Sequence, residues 1–170
     1  MTKALLVIDY QNEWIDKNSD DFAGNLSTQI EKLNKLISYC RKKEIPIIFT
    51  QHLELDSDGE FSGKNAEIIP LVDFQPEKDF LITKNKVSSF YKTSLESKLK
   101  ELKVTELIIT GILSNLCVRS AVSDAFDRDF KITVITDSCV SFSQEVQDFT
   151  FKDLKETRPE ISFKTVEEFI

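Results

Sequence analysis

A chain of 170 residues that is 41% hydrophobic can bury one substantial core and is short for two, which predicts a single domain over residues 1–170. Its formal net charge of −7, with lysines scattered among acids, argues against a nucleic-acid backbone as partner, because phosphate binding wants clustered Lys and Arg. The opening run MTKALLVIDY is too short for a signal peptide or a membrane span and ends in a charge, so the expectation is a soluble, cytoplasmic protein with no membrane partner.

Strand and helix patterns alternate along the chain. Ala4 to Asp9 reads as a strand, and Ser27 to Lys43 as a helix with Ile30, Leu33, Ile37 and Tyr39 to Cys40 recurring on one face. Pro46 to Thr50 is a second strand. It is followed by the polar, glycine-containing ELDSDGEFSG from Glu54 to Gly63, expected as an exposed loop bordering any site. Phe80 to Thr83 is a strand, Thr93 to Leu102 a helix carrying Leu95, Leu99 and Leu102, and Glu106 to Gly111 a strand. A helix from Cys117 to Phe126, a strand from Lys131 to Thr136, a helix from Val146 to Leu154, a weak strand at Ile161 to Phe163 and a last turn at Val166 to Phe169 complete the pattern. Most of the strands are short apolar runs without polar alternation, as suits a sheet covered on both faces. The expected fold is a doubly wound, three-layer α/β/α sandwich on a six-stranded, mainly parallel sheet.

The stretch LIITGILSNLCVRSAVSDAF, from Leu107 to Phe126, is the most informative. An apolar strand passes through a turn at Gly111 into a helix beginning near Cys117, where unpaired N–H groups and the helix dipole are expected to favour thiolate over thiol. Asp9 after ALLVI and Lys84 after FLIT end two other strands. In open α/β sheets ligands sit outside the carboxyl ends of the strands, so an acid, a cation and a sulfur are expected at one rim, as amide-type nucleophilic catalysis needs. Each has a plainer reading: core packing for a cysteine, a loop cap for Asp9, a surface position for Lys84.

Other chemistries fit less well. The segment DYQNEWID after the first strand is bulky and acidic, and the chain has only 4 glycines, which disfavours a phosphate or flavin loop. No G-x-S-x-G elbow is present. Cys40, Cys117 and Cys139 are an odd number at irregular spacing, neither a disulfide framework nor a zinc pattern, and reduced thiols are expected. His52 is the sole histidine and follows IIFTQ at the same rim. Without a second histidine no metal site and no Cys-His or Ser-His mechanism is expected, and no cofactor is implied; His52 is read as lining the pocket or hydrogen bonding. The base is then Asp9, with Lys84 as the charge that makes a thiolate beside a carboxylate tolerable.

Asp9 in LLVIDYQNEW, Lys84 in ITKNKVSSFYKTSLE and Cys117 in TGILSNLCVRSAVSDA, together with GKNAEIIPLV before Lys84 and FKITVITDSCVS beyond the cysteine helix, resemble the cysteine hydrolases of the isochorismatase-like superfamily. The resemblance spans nearly the whole chain. It implies a six-stranded parallel sheet, an Asp9-Lys84-Cys117 triad and hydrolysis of a small carboxamide, ureido or related C–N bond through a thioester. It further implies an oxyanion hole from the N–H groups of Leu113 and Cys117, a cis peptide joining Ile112 to Leu113, and a homodimer or homotetramer whose neighbouring subunits shape the pocket.

Departures from the family pattern narrow this expectation. Nicotinamidases of the superfamily bind a metal through an Asp and several His, where this chain offers His52 alone; isochorismatases proper lack the cysteine that Cys117 supplies. Ser114 and Asn115 stand where a Thr and an acid are usual, and Leu113 where a small residue is common. The expected pocket has Trp14, Phe90, Ile112 and Tyr91 as walls and Gln11, Asn12 and His52 as polar contacts, around a small-molecule substrate. The alternatives are a vinyl-ether hydrolase and a non-catalytic binding module that meets thiol-reactive compounds through Cys117.

Overall fold

The computed structural model describes residues 2–54 and 61–170, so most of the predicted loop from Glu54 to Gly63 lies outside the described residues. Six strands, β1 (Thr2–Ile8), β2 (Ile47–His52), β3 (Phe80–Lys84), β4 (Val104–Gly111), β5 (Lys131–Ile135) and β6 (Ser162–Lys164), form one sheet in the order β3-β2-β1-β4-β5-β6. Every neighbouring pair is parallel. The order reverses between β1 and β4, which makes the sheet doubly wound and opens a crevice at the carboxyl ends of those two strands.

Alternation along β1 assigns the layers. Ala4, Leu6 and Ile8 pack in one apolar cluster with residues of α2 (Leu95–Glu101), α3 (Arg119–Phe126) and α4 (Gln144–Thr157). Leu5 and Val7 point the other way, into a cluster with Ile30, Leu33, Leu36, Ile37 and Cys40 of α1 (Ser27–Lys42) and Val166 of α5 (Val166–Phe169). Both faces of β1 are therefore covered, which is why its sequence is a continuous apolar run.

Element ends differ from the sequence expectation for local reasons. The fourth helix starts at Gln144 and not Val146, because the Ser143 side chain caps it by accepting from the Val146 N–H. The second helix starts at Leu95 and not Thr93, whose hydroxyl oxygen accepts from the Leu95 N–H in a side-chain turn.

Gly111 is where the sheet becomes the site. The Ile112 N–H donates to the Ile8 carbonyl at 3.0 Å and the Val140 N–H to the Gly111 carbonyl at 3.0 Å, so the chain leaving β4 presses on the end of β1. A Cβ on residue 111 would lie 2.5 Å from the Ile8 carbonyl oxygen and closer still to the Ile8 Cβ, at a φ of +152°. Gly111→Ala is expected to cost more than about 3 kcal/mol, read as a lowered urea midpoint, because both obstacles belong to the central strand. A midpoint within error of the parent would contradict this close approach.

Candidate active site

Three strand ends supply the charged part of the rim. Asp9 follows β1 with a φ of +53°, a left-handed conformation that Asp tolerates better than most residues. Its carbonyl accepts from the Gln11 N–H at 2.9 Å and from the Trp14 indole N–H at 2.7 Å. Its carboxylate Oδ1 accepts from the Thr50 hydroxyl at 2.6 Å. Lys84 ends β3, and because His52 of β2 is its register partner, both side chains reach the same end of the sheet. Lys84 Nζ stands 2.7 Å from Asp9 Oδ2, with both side chains buried. Nζ is also in hydrogen-bond contact with His52 Nδ1 at 3.2 Å, the Lys86 carbonyl at 3.1 Å and Cys117 Sγ at 3.5 Å.

The sulfur reaches this group from beyond β4. After the cis Ile112–Leu113 peptide the chain makes one wide π-helical turn, Ser114–Val118, whose Val118 N–H donates to the Leu113 carbonyl at 3.1 Å. Helical winding thus begins three residues before Cys117, and α3 proper starts only at Arg119, a correction to the expected start near Cys117. The turn is clamped from outside: the Ser114 N–H and hydroxyl both meet the Val140 carbonyl, at 2.8 and 2.9 Å, and the hydroxyl also meets Gln147 Oε1 at 2.7 Å.

The thiol's acidity is the main reversal of the sequence expectation. The Cys117 thiol is pushed up to about 12, by burial first and the Asp9 carboxylate next, with Lys84 only partly opposing them. A helix start was expected to favour thiolate; Cys117 instead lies inside the π-helical turn, where burial disfavours the charged form. Cys40 and Cys139 are also raised, to about 12 and about 11, chiefly by burial in the core.

The remaining site candidates divide. His52 is half-buried at the rim, its ring edge-on to Phe61 at 5.2 Å between centroids. Ile112 and Leu113 are buried in the turn. Gln11, expected as a polar pocket contact, is instead fully engaged by backbone: its amide nitrogen donates to the His52 and Ala66 carbonyls, both at 2.8 Å, and its oxygen accepts from the His52 N–H at 2.7 Å. It ties the chain after β1 to the end of β2 and has no donor left for a ligand. Asn12 likewise donates to the Lys64 carbonyl at 2.9 Å.

The aromatic candidates also separate. Phe90 is buried on the α2–α3 side beneath the Arg128 guanidinium, 4.7 Å from its ring centre, and Tyr91 is 51% exposed with Lys92 over its ring. Trp14 is buried against Phe61 and Phe142, at 5.2 and 6.2 Å. Trp14→Phe keeps most of that packing but removes the donor to the Asp9 carbonyl. It is expected to cost about 1–2 kcal/mol, measured by chemical unfolding, and no loss would mean that the indole N–H does not hold Asp9.

Thr50 and Phe61 were not singled out from sequence. A strand-end Thr carries no signal until its neighbour is known, and Phe61 falls in a stretch whose composition predicts exposure although its side chain is buried. Among the described residues no group of three His, Cys, Asp or Glu side chains is placed to hold a metal ion, and no helix is long and apolar enough to cross a membrane.

Comparison with known proteins agrees with this architecture. The Isochorismatase domain family matches residues 3–162. An isochorismatase family protein of Bacillus subtilis strain 168 is 31% identical over 150 residues, covering 87% of this chain and 83% of that protein. Nicotinamidase 3 of Arabidopsis thaliana is 28% identical over 165 residues, covering 89% and 79%. The solved structure of an isochorismatase-like hydrolase from Alkaliphilus metalliredigens superposes with a TM-score of 0.89 at 24% identity, covering 99% of this chain and 97% of that one. With the doubly wound sheet and a match over most of its length, the chain belongs to the isochorismatase family of hydrolases.

Proposed function

We propose that this hydrolase is a cysteine-dependent amidohydrolase, cleaving a small carboxamide, ureido or related C–N bond through a thioester. The observation that carries the reading is a single buried ammonium, Lys84 Nζ, in contact with both Asp9 Oδ2 at 2.7 Å and Cys117 Sγ at 3.5 Å. The similarity to a protein named as a nicotinamidase supports the C–N class. Cys117 itself favours nucleophilic attack over vinyl-ether cleavage.

Because the thiol rests protonated, the thiolate forms only as attack proceeds. Asp9 takes the thiol proton on Oδ2 as the sulfur bonds to the substrate carbonyl carbon, and Lys84 balances the negative charge moving between them. The carbonyl π electrons pass to oxygen, and the oxyanion is held by the N–H groups of Leu113 and Cys117. When the C–N bond breaks, the protonated Asp9 delivers its proton to the departing nitrogen. Water then loses a proton to Asp9 and adds to the thioester; collapse of that adduct breaks the S–C bond, and Asp9 returns the proton to sulfur.

The test is a panel of small primary amides and ureido compounds assayed for ammonia release. Turnover of at least one, absent in Cys117→Ala, is expected; silence across the panel with folded protein would refute the assignment. The same reading includes assembly as a homodimer or homotetramer. Exposed Leu116 in the cysteine turn and Phe142, Val146 and Phe149 beyond it offer apolar surface close to the site.

A further inference from the structure

Strand alternation puts Thr50 on an apolar side of β2. Ile48, two residues earlier and on the same face, packs in the cluster beside α2 and α3, while Phe49 packs in the opposite one against α1. The register partners of Thr50 are Ile8 of β1 and Ile82 of β3, both members of the first cluster. Thr50 is 0% exposed, so its hydroxyl is shut off from bulk water, and among the described residues its partner is Asp9 Oδ1 at 2.6 Å. Facing an ionised carboxylate, which only accepts, the hydroxyl donates. Packing does not call for that hydroxyl, since a valine of the same outline would suit the three isoleucines better.

We propose that Thr50 is a positioning residue for the proton transfer: its hydroxyl, by holding Oδ1, fixes the plane of the Asp9 carboxylate and so turns Oδ2 toward the ammonium that also meets Cys117. The use made of that carboxylate rests on the cysteine-hydrolase reading; the bond that fixes it does not. The Asp9 main chain is already anchored, its N–H donating to the Thr50 carbonyl at 3.3 Å and its carbonyl accepting from the Gln11 N–H and the Trp14 indole. What those bonds leave free is rotation about Cβ–Cγ, a soft torsion in aspartate. Lys84, 2.7 Å from Oδ2, attracts the carboxylate as a compact charge on a flexible stem and sets no plane. Thr50 supplies a directed contact on the other oxygen, from a β-branched side chain whose χ1 is itself stiff. Two oxygens held from two different strands define one orientation.

The same bond bears on the charge. A hydroxyl donating to a carboxylate stabilises the ionised form, which is the form that accepts a proton. The charged and titratable groups around Asp9 are Lys84 at the end of β3, Cys117 in the π-helical turn and His52 at the end of β2, and Thr50 is the uncharged donor among them. Losing it removes stabilisation from the ionised carboxylate without changing the net charge of the centre, so protonation of Asp9 would extend to higher pH.

Thr50→Val keeps the shape and removes the donor, whereas Thr50→Ser keeps the donor and removes the methyl group. In protein with ¹³C-labelled aspartate carboxyls, the Asp9 signal is identified by its loss in Asp9→Asn and followed with pH. Its midpoint is expected to rise by about one pH unit in Thr50→Val and to stay near the parent's in Thr50→Ser. An unmoved midpoint in Thr50→Val would overturn the proposal whether or not the protein hydrolyses anything. The kinetic arm uses the panel amide that turns over best. Thr50→Val should lower kcat about tenfold with a smaller change in KM, and shift the acid limb of the pH profile upward together with the carboxyl midpoint. Thr50→Ser should keep most of the rate and the parent's limb. Parent-like kcat and limb in Thr50→Val, or equal losses in both variants with the limb unmoved, would mean that Thr50 only packs. A moved midpoint in protein that turns over no amide would count against the hydrolase assignment and leave the hold of Thr50 on Asp9 standing.

Discussion

Cys117→Ala is expected to lower kcat/KM on any substrate amide by about 10⁴-fold or more, the scale on which removal of a covalent nucleophile acts. The fold should survive. Cys117 is buried in the apolar cluster beside α2 and α3, and exchanging its thiol for hydrogen costs about 1 kcal/mol as a small cavity. Cys117→Ser is the stricter test, because an oxygen of similar shape in the same turn keeps the packing while lacking a thiol's nucleophilicity. Steady-state ammonia release and mass spectrometry of quenched reactions measure both halves of the claim: the parent should trap an acyl adduct on residue 117, and neither variant should. Equal turnover in parent and Ala variant would end the covalent mechanism.

Asp9→Asn and Lys84→Met should act on the same sulfur in opposite directions. In the parent the Asp9 carboxylate raises the thiol and Lys84 lowers it, on top of the larger effect of burial. Among the described residues, removing the carboxylate leaves Lys84 with Cys117 as the one group in contact able to supply a negative charge. Alkylation of Cys117 by iodoacetamide at pH 8 should then become faster in Asp9→Asn, while amide turnover falls about 10³-fold for want of a base. Lys84→Met should slow both. The pH dependence follows the same sign. Thiolate in the parent accumulates only as pH climbs toward about 12, so its alkylation rate should still be rising at pH 10, and the Asn variant should reach its plateau at lower pH. Each single change also leaves one buried charge without its partner, a loss of about 3–5 kcal/mol. Slower alkylation in Asp9→Asn would show that the carboxylate does not hold the thiol protonated.

Much of this was legible in the residue order, for identifiable reasons. A parallel sheet covered on both faces leaves uninterrupted apolar runs such as ALLVI and ELIITG, and these mark β1 and β4 directly. Strand ends follow from the strands, so the placement of Asp9, His52 and Lys84 at one rim could be read before any coordinates. The helix limits were less legible, because a cap such as Ser143 or a side-chain turn such as Thr93 shifts an end by two residues without changing the apolar pattern. Gln11 was misread because a buried carboxamide saturated by backbone and one presented to a ligand have the same local sequence.

Residue type and spacing alone determined which groups exist at the rim, since apolar periodicity is a local property that survives without neighbours. Tertiary structure alone decided their surroundings: that the sulfur is buried, that Asp9 meets Lys84 and Thr50, and that the same ammonium also reaches His52 and Cys117. These depend on water excluded by segments distant in the chain and on distances of about 3 Å between groups up to about a hundred residues apart, and electrostatic energies change steeply with both.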